Sequence, residues 1–373
     1  MKKSYLIAAV VAIAAIIVVA GVALSGVLNA TATTKTIKYL DVAPVNQQAY
    51  IQSGQIDGGV SWEPYCSDSI TNGTGHALLW SGDIWPDHPC CVVAMDQTFI
   101  NSDRDAALAV LKAHIEANNW IVETVANKNT TEGQANYSLL LTLGASFSNR
   151  NTTVVASALE HMTIEYDLTA AQENYFKNFT NSYVSSSLIK ASDVPDVDAF
   201  VNGLVDTSLL AEVSSVMPVA SGSPLTTVRI GYLNGDLHQF SRVVAMSAEV
   251  GSLLGLGDRS VFAAYGINAV APSAMPGSGY ANGGAVMTGF AGNDMDVGYL
   301  GAPPTILNVA NQKLDVSIVA LANTEGSALI VNNDIKSIDD LDGTTIGEPG
   351  ISSIQYLLLL EIADRYGYEV VKS

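Results

Sequence analysis

The chain has 373 residues, a hydrophobic share of 48% and a formal net charge of −19. This length is enough for two lobes of ordinary domain size, and the apolar content fits a packed globular body plus a membrane segment. The acidic surface repels phosphate backbones, which argues against a nucleic-acid-binding protein.

The N-terminus carries an export pattern. Lys2 and Lys3 precede an uncharged apolar run at residues 5–27. This order is typical of a secretory signal, and the run is also long enough to span a bilayer. Because the lysines precede the run, the body is placed outside the cell. We therefore expect an extracytoplasmic, cell-surface protein that is anchored through residues 5–27 or secreted after cleavage.

Potential glycosylation sites accompany the export pattern. Six Asn-X-Ser/Thr sequons suggest a glycosylated surface protein. They begin at Asn29, Asn72, Asn129, Asn136, Asn151 and Asn178.

The first half of the body begins with two predicted strands that flank a helix. A polar tether precedes the strand at 37–42, the helix covers 45–52, and the second strand covers 56–62. A long amphipathic helix follows at 105–126, with Leu108, Leu111, Ile115 and Val122 along its apolar side.

The middle of the chain is more polar. The sequon-rich segment 127–138 is predicted to be a surface loop, and helical patterns resume near 158–160, at 169–179 and at 196–210. The Pro-, Ser- and Gly-containing segment 213–227 has the composition of a linker.

Strands alternate with helices after this linker. Such alternation predicts a parallel or mixed sheet whose two faces are covered by helices. The predicted strands cover 228–232, 296–301, 316–322, 328–331 and 344–347, and the helices cover 238–254 and 352–366.

Several motifs lie at joints between strands and helices, where α/β proteins bind ligands. The motifs are VRIGYL at 228–233, DVGYLGAPP at 296–304, NTEGS at 323–327, DLDGTTIG at 340–347, SGQID at 53–57 and WEPY at 62–65. Together they resemble the substrate-binding proteins of ABC importers of the nitrate/sulfonate/taurine class. The resemblance implies a two-lobed periplasmic-binding-protein-like α/β fold, each lobe a mixed sheet with helices on both faces.

The motifs occur in an order different from that of the family. Residues 228–373 resemble the first half of such a protein, and residues 36–212 resemble the second. This order suggests a circular permutation, with one lobe assembled from 36–95 and 325–373 and a continuous lobe at 96–324. A truncated tandem gene is the alternative. The permutation predicts that the strands at 37–42 and 344–347 lie in one sheet.

The resemblance also implies a function. We expect a receptor that captures a small polar solute, such as a sulfonate, nitrate or taurine, and delivers it to ABC permease and ATPase subunits. It would have no catalytic residues, no cofactor and no metal. The expected ligand-binding residues converge at the joints: Trp62, Glu63, Tyr65, Leu237, His238, Gln239, Gly301, Ala302, Glu325, Ser327, Ser352, Ser353 and Gln355.

Some of these residues have simpler explanations. Ser352 fits a helix cap as well as a ligand contact. His238 fits a surface or capping residue as well as a pocket wall, and Arg242 could reach an anion or lie on an exposed face. Glu63 and Glu325 argue against a purely anionic ligand, because both would bring negative charge to the pocket.

The string DHPCC at 87–91 has three interpretations. The favoured interpretation is that the two cysteines are small buried residues of a strand. A disulfide with Cys66 ranks second, and a metal site ranks third. Because neighbouring strand residues point to opposite faces, Cys90 and Cys91 are not expected to share a ligand.

Two other functions remain open. Pyrimidine-precursor synthases of thiamine biosynthesis share the fold and carry a cysteine-rich segment with a reactive histidine, but that chemistry is intracellular. A surface sensor module on the same fold is the third candidate. An adjacent permease and ATPase gene would favour import.

Overall fold

A six-stranded sheet combines both ends of the folded chain. The protein is represented by a computed structural model, which describes residues 34–131 and 133–373. Strand β12 is parallel to β1 and β2, whereas β11 is antiparallel to β2 and β3. From edge to edge the strands are β13 (Tyr368–Lys372), β1 (Lys35–Asp41), β12 (Thr345–Glu348), β2 (Gly58–Trp62), β11 (Ser327–Val331) and β3 (His76–Trp80).

A five-stranded sheet is built from the middle of the chain. Strand β6 is parallel to β7 and β8, and β4 is antiparallel to β8 and β9. Its strands, in spatial order, are β7 (Ile267–Val270), β6 (Thr226–Gly231), β8 (Val297–Gly301), β4 (Cys91–Asp96) and β9 (Val316–Leu321). A short antiparallel pair, β5 (Met162–Thr163) with β10 (Thr324–Glu325), completes the sheets of the described residues.

Helices connect and cover these strands. The longest, α5, begins after Asp103, whose side chain accepts a hydrogen bond from the N–H of Ala106 and so caps the helix. The helices are α1 (Pro44–Gln52), α2 (Tyr65–Thr71), α3 (Ser81–Ile84), α4 (Gln97–Ser102), α5 (Arg104–Ala126), α6 (Gly133–Ser148), α7 (Thr152–Ala158), α8 (Ala170–Ser185), α9 (Val197–Leu204), α10 (Ser208–Glu212), α11 (Phe240–Ala245), α12 (Ala248–Leu253), α13 (Val261–Ala264), α14 (Gly283–Ala291), α15 (Ala302–Gln312) and α16 (Ile354–Tyr366).

The mixed α/β fold is confirmed, but several predicted elements were wrong. The segment predicted as a loop at 127–138 contains the start of α6, where the Thr130 hydroxyl accepts from the N–H of Gly133. The helix predicted at 238–254 is broken, because Ser247 caps a new helix by accepting from the N–H of Val250. Val122 is 49% exposed, since the buried side of α5 turns towards Trp120 and Ile121 there.

Two further element predictions change. The helix predicted at 196–210 is two helices, because α9 ends at Leu204 and α10 begins at Ser208. The helix predicted at 352–366 begins at Ile354, because Ser353 has extended backbone and acts as its cap.

Strands β1 and β12 are neighbours, as the permuted order predicts. They pair in parallel, with Lys38 opposite Thr345 and Asp41 opposite Glu348. Strand β13 lies on the other side of β1, and the N–H of Ser373 donates to the carbonyl of Tyr39 at 3.0 Å. The prediction of one shared sheet is therefore confirmed.

The chain passes between the two large sheets at residues 81–90 and 322–326. Backbone hydrogen bonds join these two crossing segments. The N–H of Cys90 donates to the carbonyl of Asn323 at 3.2 Å, and the N–H of Glu325 donates to the carbonyl of His88 at 3.0 Å. Strand β4 belongs to the five-stranded sheet. Residues 91–95 therefore lie on a different sheet from the rest of segment 36–95.

The predicted export run at 5–27 and the sequon at Asn29 lie outside the described residues. Within 34–131 and 133–373, none of the helices has both the length and the apolar character needed to cross a membrane.

Candidate functional site

A small cavity lies where strand ends of both sheets converge. Its free space is about 20 Å³, and a single water molecule requires roughly 10–15 Å³ on the same measure. The cavity therefore accommodates only a very small ligand in this arrangement. It is lined by Trp62, Cys90, Cys91, Leu233, Asp236, His238, Asn282, Gly283, Gly301, Pro304, Ser352, Ser353, Ile354 and Gln355.

One wall of the cavity belongs to the six-stranded sheet. It is formed by Trp62 at the end of β2 and by the turn that opens α16. Ser353 caps α16 by accepting from the N–H of Tyr356 at 3.1 Å, and Gln355 Nε2 donates to Ser327 Oγ at 2.9 Å. The carbonyl of Ser352 accepts from the hydroxyl of Tyr183 at 2.7 Å. The cap expected at Ser352 is therefore made by its neighbour Ser353.

Trp62 carries an unused hydrogen-bond donor. Its side chain is 5% exposed, and its indole Nε1 has no hydrogen-bond partner among the described residues. Buried N–H groups nearly always have a partner, so an unpaired donor in a cavity wall indicates a place where a ligand acceptor fits.

The opposite wall is built on the five-stranded sheet and contains an interacting cluster. Sγ of Cys90 lies 3.1 Å from Nδ1 of His238, and Sγ of Cys91 lies 3.6 Å from Oδ2 of Asp236. The backbone N–H of His238 donates to Oδ1 of Asp236 at 2.9 Å. His238 Nε2 is 2.9 Å from the carbonyl of Gly326, so this nitrogen carries the proton and donates it. We call Cys90, Cys91, Asp236 and His238 the thiol–imidazole cluster.

Burial and mutual charge shift the pKa of every member of the cluster. Burial disfavours the imidazolium, but the charges of Cys90 and Asp236 outweigh it and raise the pKa of His238 to about 9. Burial raises the pKa of Asp236 to about 6. Although burial opposes ionisation of Cys90, the hydrogen bond from Cys91 and the charge of His238 lower its pKa well below the usual value.

Cys91 shifts in the opposite direction. Burial, its hydrogen bond to Cys90 and the charge of Asp236 raise the pKa of the Cys91 thiol well above its usual value. The cluster therefore favours a thiolate at Cys90 that is paired with an imidazolium at His238, beside a neutral thiol at Cys91.

The structure brings six of the expected site residues to the cavity. Trp62, His238, Gly301, Ser352, Ser353 and Gln355 line it. Others lie behind its walls: Ser327 is bound to Gln355, Leu237 and Ala302 are fully buried, and Gln239 Nε2 donates to the carbonyl of Leu233.

The remaining expected residues make other contacts. Glu63 accepts from Ser67 Oγ at 2.8 Å and lies 3.0 Å from Nδ1 of His161. The Tyr65 hydroxyl donates to the carbonyl of Asn234 at 2.9 Å. Glu325 accepts from the N–H of Asp87 at 2.8 Å and lines a separate surface depression beside His161.

Arg242 lies on neither an exposed face nor the cavity wall. It is 8% exposed, and its guanidinium lies 3.8 Å from the ring centre of Tyr232 and 5.0 Å from that of Phe147. Cation–π contacts therefore replace a carboxylate partner for this buried charge.

The premise that Cys90 and Cys91 point to opposite faces was wrong, because their Sγ atoms lie within 4.8 Å of each other. Cys90 precedes β4 and lies outside the regular strand, so the alternation of side chains does not separate the two thiols. Cys66 is free and packs in a separate apolar cluster with Val42 and Ile56. Sequence reasoning missed Asp236 and Asn282, although both are polar residues near strand–helix joints.

Comparison with known proteins gives local matches. Residues 10–133 match the model of the NMT1-like family. The nitrate/nitrite binding protein NrtA of Nostoc sp. is 32% identical over 79 residues, which are 21% of this chain and 18% of that protein. Over parts of its length the chain is therefore similar to the NMT1-like family and to nitrate/nitrite binding proteins.

Two proteins of Synechocystis sp. also match. Its nitrate/nitrite binding protein NrtA is 27% identical over 86 residues, 23% of this chain and 19% of that protein. Its nitrate import ATP-binding protein NrtC is 30% identical over 81 residues, 22% of this chain and 12% of that protein. The matched segments thus span less than a fifth of each relative. No solved structure matches significantly.

Proposed function

We propose that this protein is an extracytoplasmic solute-binding receptor that delivers a small polar solute to an ABC importer. The cavity carries the proposal, because it is formed jointly by the two sheets and one of its lining residues, Trp62, has an unpartnered indole N–H. The names of the relatives support it, since two are nitrate/nitrite binding proteins and one is the ATP-binding protein of a nitrate importer.

A two-lobed body supports binding by closure. We infer lobes centred on the two large sheets and joined by the crossing segments 81–90 and 322–326, so that the first boundary precedes Cys91 rather than following residue 95. Two connected lobes can open and close around a solute by bending these segments. Separation of the lobes is needed to admit any solute larger than a water molecule, because the free space in this arrangement is about 20 Å³.

We further propose that the order of the lobes is circularly permuted and that residues 5–27 direct the body across the membrane. The pairing of β1 with both β12 and β13 supports the permutation. The lysines before the apolar run support the orientation. Permease and ATPase subunits would then receive the solute at the membrane.

The solute is expected to present a hydrogen-bond acceptor to Trp62. Nitrate, taurine and short alkanesulfonates have such acceptors and are small. A thermal-shift screen of these compounds, with bicarbonate and pyrimidines, tests the function. A solute that binds only the folded protein raises its stability by about 2.7 kcal/mol at 100 times the dissociation constant.

A pair of tryptophan variants locates the site. Trp62→Phe keeps an aromatic ring but removes the indole N–H. It should raise the dissociation constant of the solute found in the screen by about 2- to 12-fold, the value of one hydrogen bond. Trp120→Phe is the control, because Trp120 is also 5% exposed but lies in α5 away from the cavity. Equal affinity in both variants, or turnover of a pyrimidine or pyridoxal substrate, would reject the proposal.

A further inference from the structure

The thiol–imidazole cluster has the donor set of a metal site. Sγ of Cys90, Sγ of Cys91 and a ring nitrogen of His238 all lie within 4.8 Å of one another, and all three residues are buried. Asp236 adds a carboxylate whose Oδ2 lies 3.6 Å from Cys91 Sγ and whose Oδ1 lies 3.8 Å from His238 Nδ1. Two sulfurs and one nitrogen form a set that zinc and its analogues prefer.

The distance between Cys90 Sγ and His238 Nδ1 is close to that of a tetrahedral site. With metal bonds of about 2.3 Å to sulfur and 2.0 Å to nitrogen, a tetrahedral ion holds the two ligand atoms about 3.5 Å apart. The distance between Cys90 Sγ and His238 Nδ1 is 3.1 Å. The pair therefore needs to separate by only a few tenths of an ångström.

The orientation of His238 is already that of a ligand. Its Nε2 donates to the carbonyl of Gly326, which leaves Nδ1 directed at the thiols. Metal-binding histidines are commonly fixed by such a bond from the other ring nitrogen. Asp236 is fixed in the same manner, since it accepts from the N–H of His238.

The charge of this wall suits a cation. Of the described residues that line the cavity, none is Lys or Arg, whereas Asp236 and two thiols are present. The free space of about 20 Å³ is enough for a single ion without separation of the lobes.

We propose that Cys90, Cys91 and His238 bind a zinc-like divalent cation in the cavity, with the Asp236 carboxylate beside the three ligands. When the ion binds, Cys91 releases its thiol proton and His238 releases its Nδ1 proton to solvent, so both cysteines bind as thiolates and His238 as a neutral imidazole. The proposal goes beyond solute delivery, because the ion is held by the protein's own side chains whichever solute the receptor carries. It also reverses the order in which the sequence ranked the interpretations of Cys90 and Cys91.

Cobalt substitution tests the site in the intact protein. Reduced, chelator-treated protein is titrated with Co²⁺ and then with Zn²⁺. We expect one equivalent of Co²⁺ to produce a thiolate-to-cobalt charge-transfer band, and one equivalent of Zn²⁺ to remove it. Cys90→Ser and Cys91→Ser should each weaken metal binding by about 100-fold or more, whereas Cys66→Ala, which also removes one buried thiol, should leave it unchanged.

X-ray absorption at the metal edge of the unmodified protein provides a second measurement that no folding defect can obscure. Two sulfur ligands per ion support the site. Absence of sulfur ligands, or a charge-transfer band that survives in both Cys90→Ser and Cys91→Ser, overturns it.

The solute test is kept separate from the metal test. Nitrate, taurine and sulfonates are screened on the metal-free protein and again with one equivalent of Zn²⁺. Solute binding without metal binding rejects the metal site and leaves the receptor proposal standing. Metal binding without any solute response rejects the proposed solutes and leaves the metal site standing.

Discussion

The wall on the six-stranded sheet offers an indole, two hydroxyls and an amide, whereas the opposite wall offers two thiols, an imidazole and a carboxylate. Among the described residues, the side chains of the first wall form hydrogen bonds only within its own sheet and helix, as between Gln355 and Ser327. Those of the second join distant parts of the chain, since Cys90 and His238 are 148 residues apart. The difference teaches that one cavity can combine a locally stabilised wall with one that depends on the whole fold.

The substitution with the largest expected effect tests whether the second wall depends on the crossing segment 322–326. Gly326 has φ +84°, and a Cβ there would press on the His238 ring and lie 2.8 Å from Met162 Cβ. Gly326→Ala should lower the free energy of unfolding by roughly 2–5 kcal/mol, because backbone strain and overpacking add. Chemical denaturation provides the measurement.

Gly222→Ala is the control for backbone strain alone. Gly222 has φ +83° but open space around it, so the cost should be about 1 kcal/mol. Equal destabilisation by the two substitutions would show that the packing of His238 against Gly326 does not contribute to the stability of the second wall.

The second prediction concerns a buried carboxyl beneath the first wall. Burial raises the pKa of Glu348 to about 8, even though the N–H of Gly350 donates to it. Because the pKa of this carboxyl is higher in the folded than in the unfolded protein, its protonation stabilises the fold. The stabilisation is complete below the unfolded-state pKa of about 4.5 and is lost as the pH rises through 8. Between pH 5.5 and 7, ionisation of Glu348 should lower the free energy of unfolding by about 2 kcal/mol, and Glu348→Gln should abolish this decline.

The measurement is the free energy of unfolding against pH for both proteins. Because all other ionisable groups are shared, the difference between the two curves isolates Glu348. Parallel curves would mean that this carboxyl has an ordinary pKa in the folded protein.

A third prediction separates capping from ligand contact in the first wall. Ser353→Ala should destabilise the protein by about 1 kcal/mol, because the N–H of Tyr356 loses its cap. Ser352→Ala should cost less than about 0.5 kcal/mol, since only the backbone carbonyl of Ser352 accepts a hydrogen bond from Tyr183. Thermal unfolding of the two variants should rank them in this order, and the reverse order would assign the cap to Ser352.

Much of the first wall could be predicted from the sequence. Trp62, Ser352, Ser353 and Gln355 lie at strand ends and helix starts, and local patterns place such joints at the ligand edge of a sheet. The second wall could be predicted only in part. His238 follows a recognisable strand, but its approach to Cys90 depends on the packing of β4 beside β8, which no local pattern encodes.

Local signals also failed where a cap decided the outcome. Polar, sequon-rich sequence predicted a loop before residue 138, yet the Thr130 hydroxyl allows α6 to begin at Gly133. Ser247 and Ser353 each moved a predicted helix boundary by the same mechanism. The strands that were predicted lie within two residues of their positions in the structure, because buried apolar runs leave fewer alternatives, but β3 and β7 were missed.

The smallest expected effect concerns the order of the two halves. A rearranged chain runs from residue 223 to 373, continues through a short Gly/Ser linker into residue 36, and ends at residue 222. It should unfold within about 1 kcal/mol of residues 36–373 in the original order, because Ser373 already lies beside Tyr39 and the new ends fall in an exposed segment. Circular dichroism during denaturation checks this. A rearranged chain that fails to fold would favour the truncated tandem gene.

The positions of the three cysteines make the chain its own reporter of motion. Cys90 and Cys91 face the cavity, whereas Cys66 is sealed in an apolar cluster with Val42 and Ile56. A thiol reagent can therefore reach the first two only when the lobes separate, and Cys66 only when the fold is lost. The labelling rate of Cys90 and Cys91 would then report how often the lobes open, and that of Cys66 how often the protein unfolds. A solute that keeps the lobes closed would slow labelling of Cys90 and Cys91, whether or not it also slows labelling of Cys66.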